Sequence, residues 1–557
     1  MNGRLRDRIA AFAERRFTVL LATVFVALVA LAWCHRFVQD DAFIAFRYAD
    51  HLARGHGLQF NPGERVEGYS CFLHVLLLAA GIRLGFDPVP VSYAIGLASF
   101  AGTLWATFML ARHRLGNPLA ALGAMVLLGT NYTVMAFATG GLETSLHAFL
   151  TTSYFALGAA EPGAAGRVAG PRSARLALGS LIAALAILTR VDSVLLLVPM
   201  GLVLAWDAAA RADRWRDAAL EWLALLAPAA LIVGAWLVWK QAYYGSLLPN
   251  TWYVKVESRA SLGQGFYYLY RFVTTYWFEA GLLFAAWKWR RLLADGPIAI
   301  ALTAGAVLWV AYLVAVGGDW MEFRLFVPVM PLVAIALVRV IALLERGAGL
   351  GWALGLLVVA GSLQHAVVYN HTSHRDGIQS VWHLQSLLWA EEENWVGIGK
   401  TLHGLFAADS SVVIATTAAG AIPYYSGLTT IDMLGLNDRW IAQHGQTRRA
   451  TPGHRRQTTL DYLLERRVTL MLGHPRLVWE PTPGPLYVQD FPVPRYVAGE
   501  AKARKFPAGL EALEIPIDRG YRLIVLYLTR NATVDRLIAE RGWRVREVAD
   551  REAQGQP

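Results

Sequence analysis

The sequence predicts a polytopic α-helical membrane protein with an α/β domain outside the bilayer at its C-terminal end. Hydrophobic residues make up 55% of the 557 and charged ones only 17%, with a mean hydropathy of +0.38 and 20 tryptophans. A chain so poor in charge belongs in lipid rather than water. The apolar residues collect in runs before residue 370, with arginines in the short segments between them. From about His371 the charge density becomes ordinary and the periodicity mixed, as in a water-soluble unit. The expected division is a membrane module at 1–370, with residues 34–88 as its first outer loop, and a soluble domain at 371–557.

Arg4, Arg6, Arg8, Arg15 and Arg16 precede an uncharged run from Phe17 to Trp33 with no small-residue cleavage site behind it, the pattern of a signal anchor. Its basic flank is expected in the cytoplasm, which sets Asp40 and Asp41 on the outer side. Further apolar runs lie at about 89–111, 117–137, 141–158, 175–189, 192–208, 217–240, 276–289, 296–316, 324–344 and 348–368. Cys71 to Leu84 is brief and ends near Arg83, so it reads as a surface or re-entrant helix. With that segment not crossing, Arg112 and Arg114, then Arg167, Arg172 and Arg175, then Arg211, Arg214 and Arg216, then Lys288, Arg290 and Arg291, and Arg346 all fall inside. The count is about eleven crossings, with the C-terminal domain outside.

The polar stretch Asp40 to Ser70 follows the first span directly. Two adjacent carboxylates at the mouth of a membrane helix are costly to desolvate, and an outward carboxylate can take a proton from a hydroxyl. The plainer role is capping of the helix that follows, which also anchors a carboxylate. In Asp41–Arg54, Ile44, Tyr48 and Leu52 share one face and Arg47, His51 and Arg54 another, the pattern of an amphipathic helix lying on the bilayer.

The same topology turns Glu143, Asp192 and Asp319 outward beside Asp40, a set of acids suited to a polyhydroxylated substrate. Arg190, Lys255 and Arg324 are the nearest outward cations and suit a lipid-phosphate leaving group, although ion pairing with the neighbouring acids explains them equally. Tyr243, Tyr244, Trp252, Tyr253 and Trp320 suit sugar stacking, and any one of them also suits an interfacial aromatic belt. His51, His56, His74, His113 and His147 lack metal-ligand spacing, and no Walker A or dinucleotide-type glycine loop occurs, so neither metal nor cofactor is expected. The net charge of +10 lies in topology-setting loops, which argues against nucleic acid. Cys34 and Cys71 flank the polar loop and could bridge it, but two free thiols is the preferred reading.

In the outer domain, Ser411–Thr417, Val468–Leu472 and Tyr521–Thr529 read as buried strands, and Gln379–Phe406 and Asn531–Arg541 as helices.

DDAFIAFRY at Asp40, GHGLQFNPGERVEGYS at Gly55, TGGLETS at Thr139, TRVDSV at Thr189, LLPNTWYVK at Leu247, GGDWMEFRLFVPVMP at Gly317 and AIPYYSGLTTIDMLGLND at Ala421 occur in that order. So arranged, the sequence resembles the AftB-like terminal arabinofuranosyltransferases of actinobacteria, which are GT-C glycosyltransferases. Ser70 and Cys71 stand where that family's pattern has Thr-Asn. The resemblance implies transfer of a sugar, arabinofuranose in that family, from a polyprenyl-phosphate donor to a cell-envelope glycan or glycolipid acceptor. It maps the catalytic base to Asp40 with Asp41 as its neighbour, and brings Asn250 of the LLPNTWYVK motif among the substrate-binding candidates. One displacement with one base inverts the anomeric centre. A sugar-lipid transporter or flippase is the alternative; it predicts ionisable groups midway along the spans and inverted repeats, and neither is evident. An outer-face scaffold would not need the acidic pair.

Overall fold

A computed structural model describes residues 3–160, 172–255, 262–344, 350–366, 377–447, 455–475, 477–479, 486–487 and 509–549. Helices dominate the first part, and their ends follow local chemistry. Asp87 accepts from the Val89 amide to cap Pro88–Leu115, which stops at Gly116 in the left-handed region (φ 65°). Asn117 caps Pro118–Gly129 in the same way.

Among the described residues, seven helices are long and apolar enough to cross a membrane: Glu14–Cys34, Pro88–Leu115, Arg172–Thr189, Val191–Arg211, Trp215–Tyr244, Pro297–Val316 and Arg324–Leu344. Among the described residues, seven of the expected eleven runs thus form full-length spans. The run at 117–137 breaks into Pro118–Gly129 and Tyr132–Ala136 because the Asn131 side chain caps a new helix there. The run at 276–289 yields only Glu279–Trp287. Phe72–Arg83 is apolar but 12 residues long, about 18 Å against the roughly 30 Å of a hydrocarbon core, in keeping with a segment that does not cross straight.

The C-terminal domain, expected on the outer side and labelled the outer domain, is built on a mixed sheet. Its strands include β1 (Val413–Thr416), β2 (Thr429–Asp432), β5 (Leu470–Gly473), β6 (Leu477–Val478), β7 (Leu486–Tyr487), β8 (Glu511–Pro516), β9 (Arg522–Tyr527) and β10 (Arg544–Ala549); β3 (Gln446–Thr447) and β4 (Arg456–Gln457) form a separate hairpin. The order is β2-β1-β5-β9-β8-β10-β7, with β6 also paired to β9. β1 runs parallel to β2 and β5, and β5, β9, β8 and β10 pair antiparallel in turn. The three expected strands are β1, β5 and β9. The expected helix at Gln379–Phe406 is two helices, Val381–Trp389 and Trp395–Phe406, divided at Asn394 (φ 40°), whose side chain caps the second. Asn531 caps the last helix, Ala532–Arg541.

The first outer loop and the outer domain share one hydrophobic core, in which Phe43, Phe46, Tyr48, Phe60 and Tyr69 pack in a single cluster with Ile398, Leu402, Ile414 and Ile422. Consequently the helix Asp40–Ala53 does not lie on a bilayer with one solvated face. The helical spacing read from the sequence holds, but the helix Ala421–Ser426 covers Arg47 on the face expected to be polar, while His51 is half-buried and Arg54 stays exposed. Arg47 is 3% exposed and donates to the carbonyls of Phe60 (2.7 Å), Leu428 (2.9 Å) and Pro423. Asn61 bonds the edge strand β2 as a further strand would, donating to the Thr430 carbonyl (2.9 Å) and accepting its amide (3.0 Å). Cys34 is exposed and Cys71 buried, both as free thiols.

Loss of Arg47 strips several buried carbonyls of their donor, each worth about 1–3 kcal/mol. Arg54, the C-cap of the same helix, makes an exposed pair with Asp50 worth about 0.5 kcal/mol or less. In calorimetric unfolding, Arg47→Ala is expected to lower the outer-domain transition by several degrees and Arg54→Ala to leave it in place; equal effects would contradict this inter-element bond.

Candidate active site

The site begins at the N-terminus of the helix Asp40–Ala53, whose cap is Gln39 in extended backbone (φ −126°) with no side-chain capping bond. Neither aspartate is the cap residue, and both lie in the first turn, where the helix dipole favours negative charge. The Asp40 carboxylate accepts two backbone amides of the outer domain, Ala421 at Oδ1 (2.7 Å) and Gly420 at Oδ2 (3.1 Å). The approach is so close that a Cβ on Gly420 would sit 1.9 Å from the Asp40 carbonyl oxygen. Burial pushes the Asp40 carboxyl up to about 7; the two amides oppose that shift, and the charges of Asp41 and Asp432 add to it.

Asp432, at the end of β2, accepts the amides of Leu434 (3.0 Å) and Asn437 (2.9 Å) and the Asn437 side chain (3.0 Å). Burial raises its carboxyl to about 6. The loop Thr139–Glu143 lies against the same helix: Gly141 adopts φ 79°, and a Cβ there would meet Ala42 Cβ at 2.5 Å.

A second group of charges comes from three helix ends. Arg190 donates to Asp192 through Nε (3.0 Å) and NH2 (2.6 Å), and through NH1 to Glu143 (2.9 Å). The Tyr312 hydroxyl donates to Asp192 Oδ2 (3.1 Å). Arg324 Nε donates to Asp319, which also accepts the Trp320 amide (2.9 Å). The two terminal nitrogens of Arg324 have no hydrogen-bond partner among the described residues, and besides Asp319 the charges nearest this guanidinium are Glu143, Asp41 and Arg190. Phe323, immediately before it, is held at φ 45° and packs its ring on Tyr268, Phe272 and His365. A non-glycine residue in that region stores of order 1–3 kcal/mol, a cost tolerated where the chain must aim a side chain.

Asp41, Glu143, Arg190, Asp192, Asp319 and Arg324 therefore lie in one group of charges. Arg190, expected either as a phosphate ligand or as an ion-pair partner of the neighbouring acids, pairs with two carboxylates. Asn250 turns to the outer domain, its amide nitrogen donating to the carbonyls of Gly435 (2.8 Å), Leu436 (3.0 Å) and Asp438 (3.2 Å). Tyr253 is half-buried one turn further along, and the side chain of Lys255 lies outside the described residues. Trp320 packs half-buried against the membrane core. Tyr244 is 3% exposed and bonded to the Leu58 carbonyl and the Tyr69 hydroxyl, so its ring is not available to a sugar.

The residue types alone did not point to Gln39, Gly420, Ala421 or Asp432. Gln39 is fully buried and neither side-chain amide atom has a partner among the described residues, a cost of roughly 1–3 kcal/mol that a bound hydroxyl would relieve. Its signal in the sequence was a lone amide directly before the acidic pair. Among the described residues no group of three His, Cys, Asp or Glu side chains is disposed to hold a metal ion.

A model for a domain of unknown function, DUF8728, matches residues 385–544. A terminal beta-(1->2)-arabinofuranosyltransferase of Corynebacterium glutamicum is 27% identical over 361 residues, 58% of this chain and 50% of that protein. Its namesake of Mycobacterium tuberculosis is 28% identical over 342 residues, 54% of this chain and 52% of that protein. The chain thus spans about half the length of the curated relatives it matches. Crystal structures of ArnT from Cupriavidus metallidurans superpose with a TM-score of 0.51, covering 92% of this chain and 99% of ArnT bound to undecaprenyl phosphate at 12% identity, and 93% and 100% of the apo form at 14%. At that identity the likeness shows the fold alone. The chain is a multi-pass membrane protein with the GT-C architecture, and the curated proteins it resembles are terminal arabinofuranosyltransferases.

Proposed function

We propose that this protein is an inverting membrane glycosyltransferase that moves a sugar, in the first instance arabinofuranose, from a polyprenyl-phosphate donor to a cell-envelope glycan acceptor. The reading places the site on the outer face of the bacterial inner membrane, with the N-terminus cytoplasmic and the domain after residue 370 outside. One juxtaposition carries it: a buried carboxylate raised to about 7 and oriented by two amides adjoins a second carboxylate, Asp41, whose charge reaches an arginine with N–H groups uncommitted among the described residues. A base and a phosphate ligand are the two parts such a displacement needs.

In this mechanism Asp40 accepts the proton of the acceptor hydroxyl, whose oxygen forms a bond to the anomeric carbon as the bond from that carbon to the phosphate oxygen breaks. The electron pair leaves with the polyprenyl phosphate, and the terminal N–H groups of Arg324 meet the growing charge. Asp41, whose charge faces Arg324, keeps that guanidinium oriented, and Arg190 holds Glu143 and Asp192 in place. The different environments of Asp40 and Asp41 divide their roles, because a base works best with a pKa near the working pH. The donor class follows the ArnT neighbour, which is bound to undecaprenyl phosphate, and the sugar follows the curated relatives. A transporter reading is not favoured, since these carboxylates lie at helix ends.

Because Asp40 must be ionised to act and its carboxyl is raised, turnover is expected to fall about tenfold per pH unit below about 7. With polyprenyl-phosphate arabinofuranose and a short arabinan acceptor, Asp40→Asn is expected to lower kcat roughly 10²–10⁴-fold. Turnover at the wild-type rate would remove Asp40 as the base. Arg324→Gln is expected to lower kcat about 10²–10³-fold while leaving the acceptor KM in place; an effect on the acceptor KM alone would contradict a role at the leaving group. Gly420→Ala is expected to depress kcat and displace the apparent pKa of turnover, because its Cβ cannot fit beside Asp40; an unchanged pH profile would contradict that coupling.

A further inference from the structure

At the opposite end of the bundle from Asp40, a cavity of about 310 Å³ opens between the ends of the helices Pro88–Leu115, Thr144–Ala159, Arg172–Thr189, Val194–Arg211 and Pro297–Val316. The helix Val194–Arg211 starts beside Asp192 and ends at this cavity, so at ~1.5 Å per residue the two sites lie roughly 26 Å apart.

Arginines from three helices enter the cavity: Arg114, Arg172, Arg175 and Arg211. Arg172 pairs with Asp207 (2.6 Å) and Glu221 (3.1 Å), Arg211 pairs with Asp207 (2.7 Å), and Arg339 pairs with Asp295 (2.9 Å), whose carbonyl accepts from Arg114 (2.7 Å). Five arginines thus face three acids, an excess of two positive charges in this frame. Arg175 is half-buried and makes no hydrogen bond or salt bridge among the described residues. Its charged neighbours are Arg172, Arg211, Glu221 and Asp207, so one guanidinium is held against two like charges with no anion of its own. Random topology-setting arginines would spread over the loops; these converge on one concavity. Beyond them the wall is apolar, through Leu204, Leu225 and Ile298, and Trp206 stands 74% exposed at the rim, the placement of an interfacial aromatic.

We propose that this cavity binds the phosphate of an anionic phospholipid from the leaflet opposite the Asp40 site. Arg175 supplies the uncommitted ligand, Arg172 and Arg211 flank it, and Leu204 and Trp206 receive the glycerol and first acyl carbons. A guanidinium forms paired bonds to phosphate oxygens, and the excess charge matches a phosphomonoester or an acidic diester.

The test uses the full chain in phosphatidylcholine nanodiscs, titrated with short-chain phosphatidic acid or with inorganic phosphate and read by native mass spectrometry. Phosphatidic acid is expected to bind saturably at one per chain, about tenfold more weakly in Arg175→Ala and unchanged in Arg15→Ala/Arg16→Ala, basic residues on another helix. Inorganic phosphate is expected not to compete at concentrations that saturate the lipid. Equal binding by Arg175→Ala, or equal loss in the Arg15/Arg16 variant, would overturn the site; competition by phosphate as strong as by lipid would overturn the lipid as its occupant. Should Arg175→Ala fail to fold, Leu204→Ser in the apolar wall carries the same comparison, with loss of lipid affinity supporting the proposal and unchanged affinity overturning it.

Discussion

The account depends on one bond set, the pair of amides that Gly420 and Ala421 give to the Asp40 carboxylate across 380 and 381 residues of chain. A carboxylate at the mouth of a membrane bundle, buried without partners, would take up a proton and lose its use as an acceptor. Two amides restore part of the stability of the anion while burial holds its pKa near neutrality. The outer domain therefore completes the site, and the shared core between the first outer loop and the sheet domain is the packing that keeps it in place.

The other charged pairs around the site follow the same pattern. Among the described residues, several charges at helix ends are answered locally: Arg190 by Asp192 and Glu143, Arg324 by Asp319, Lys240 by Glu67 at 2.8 Å, and Arg466 by Glu64. Pairs at this depth are expensive to break and cheap to keep, because removing one partner leaves the other ion desolvated. Arg324 stands out in that setting: one edge of its guanidinium is committed and the other is open beside a carboxylate.

Much of this was legible in the sequence because it is local. Helix ends carry their own caps, apolar length marks spans, and Glu143, Arg190, Asp192, Asp319 and Arg324 fall at span ends that one topology turns to a single side. The misses are long-range. Arg47, read on the solvated face of an amphipathic helix, is buried because the outer domain's helix Ala421–Ser426 lies over it. Asn250, grouped with the substrate ligands, holds the loop Gly435–Asp438 instead. One local feature escaped as well: Asn131 breaks the apolar run at 117–137 into two helices, which hydropathy averaged over a window does not register. Nor could residue type reveal that Gly420, a backbone donor with no side chain, would touch the central carboxylate.

The most direct measurement is a structure of the full chain with a non-reactive polyprenyl-phosphate sugar analogue and a short glycan acceptor. The account predicts phosphate oxygens within ~3 Å of the Arg324 terminal nitrogens and an acceptor hydroxyl at about the same distance from Asp40, with Gly420 and Ala421 still bonded to it. A phosphate seated away from Arg324, or an acceptor oxygen that approaches a different carboxylate, would contradict it.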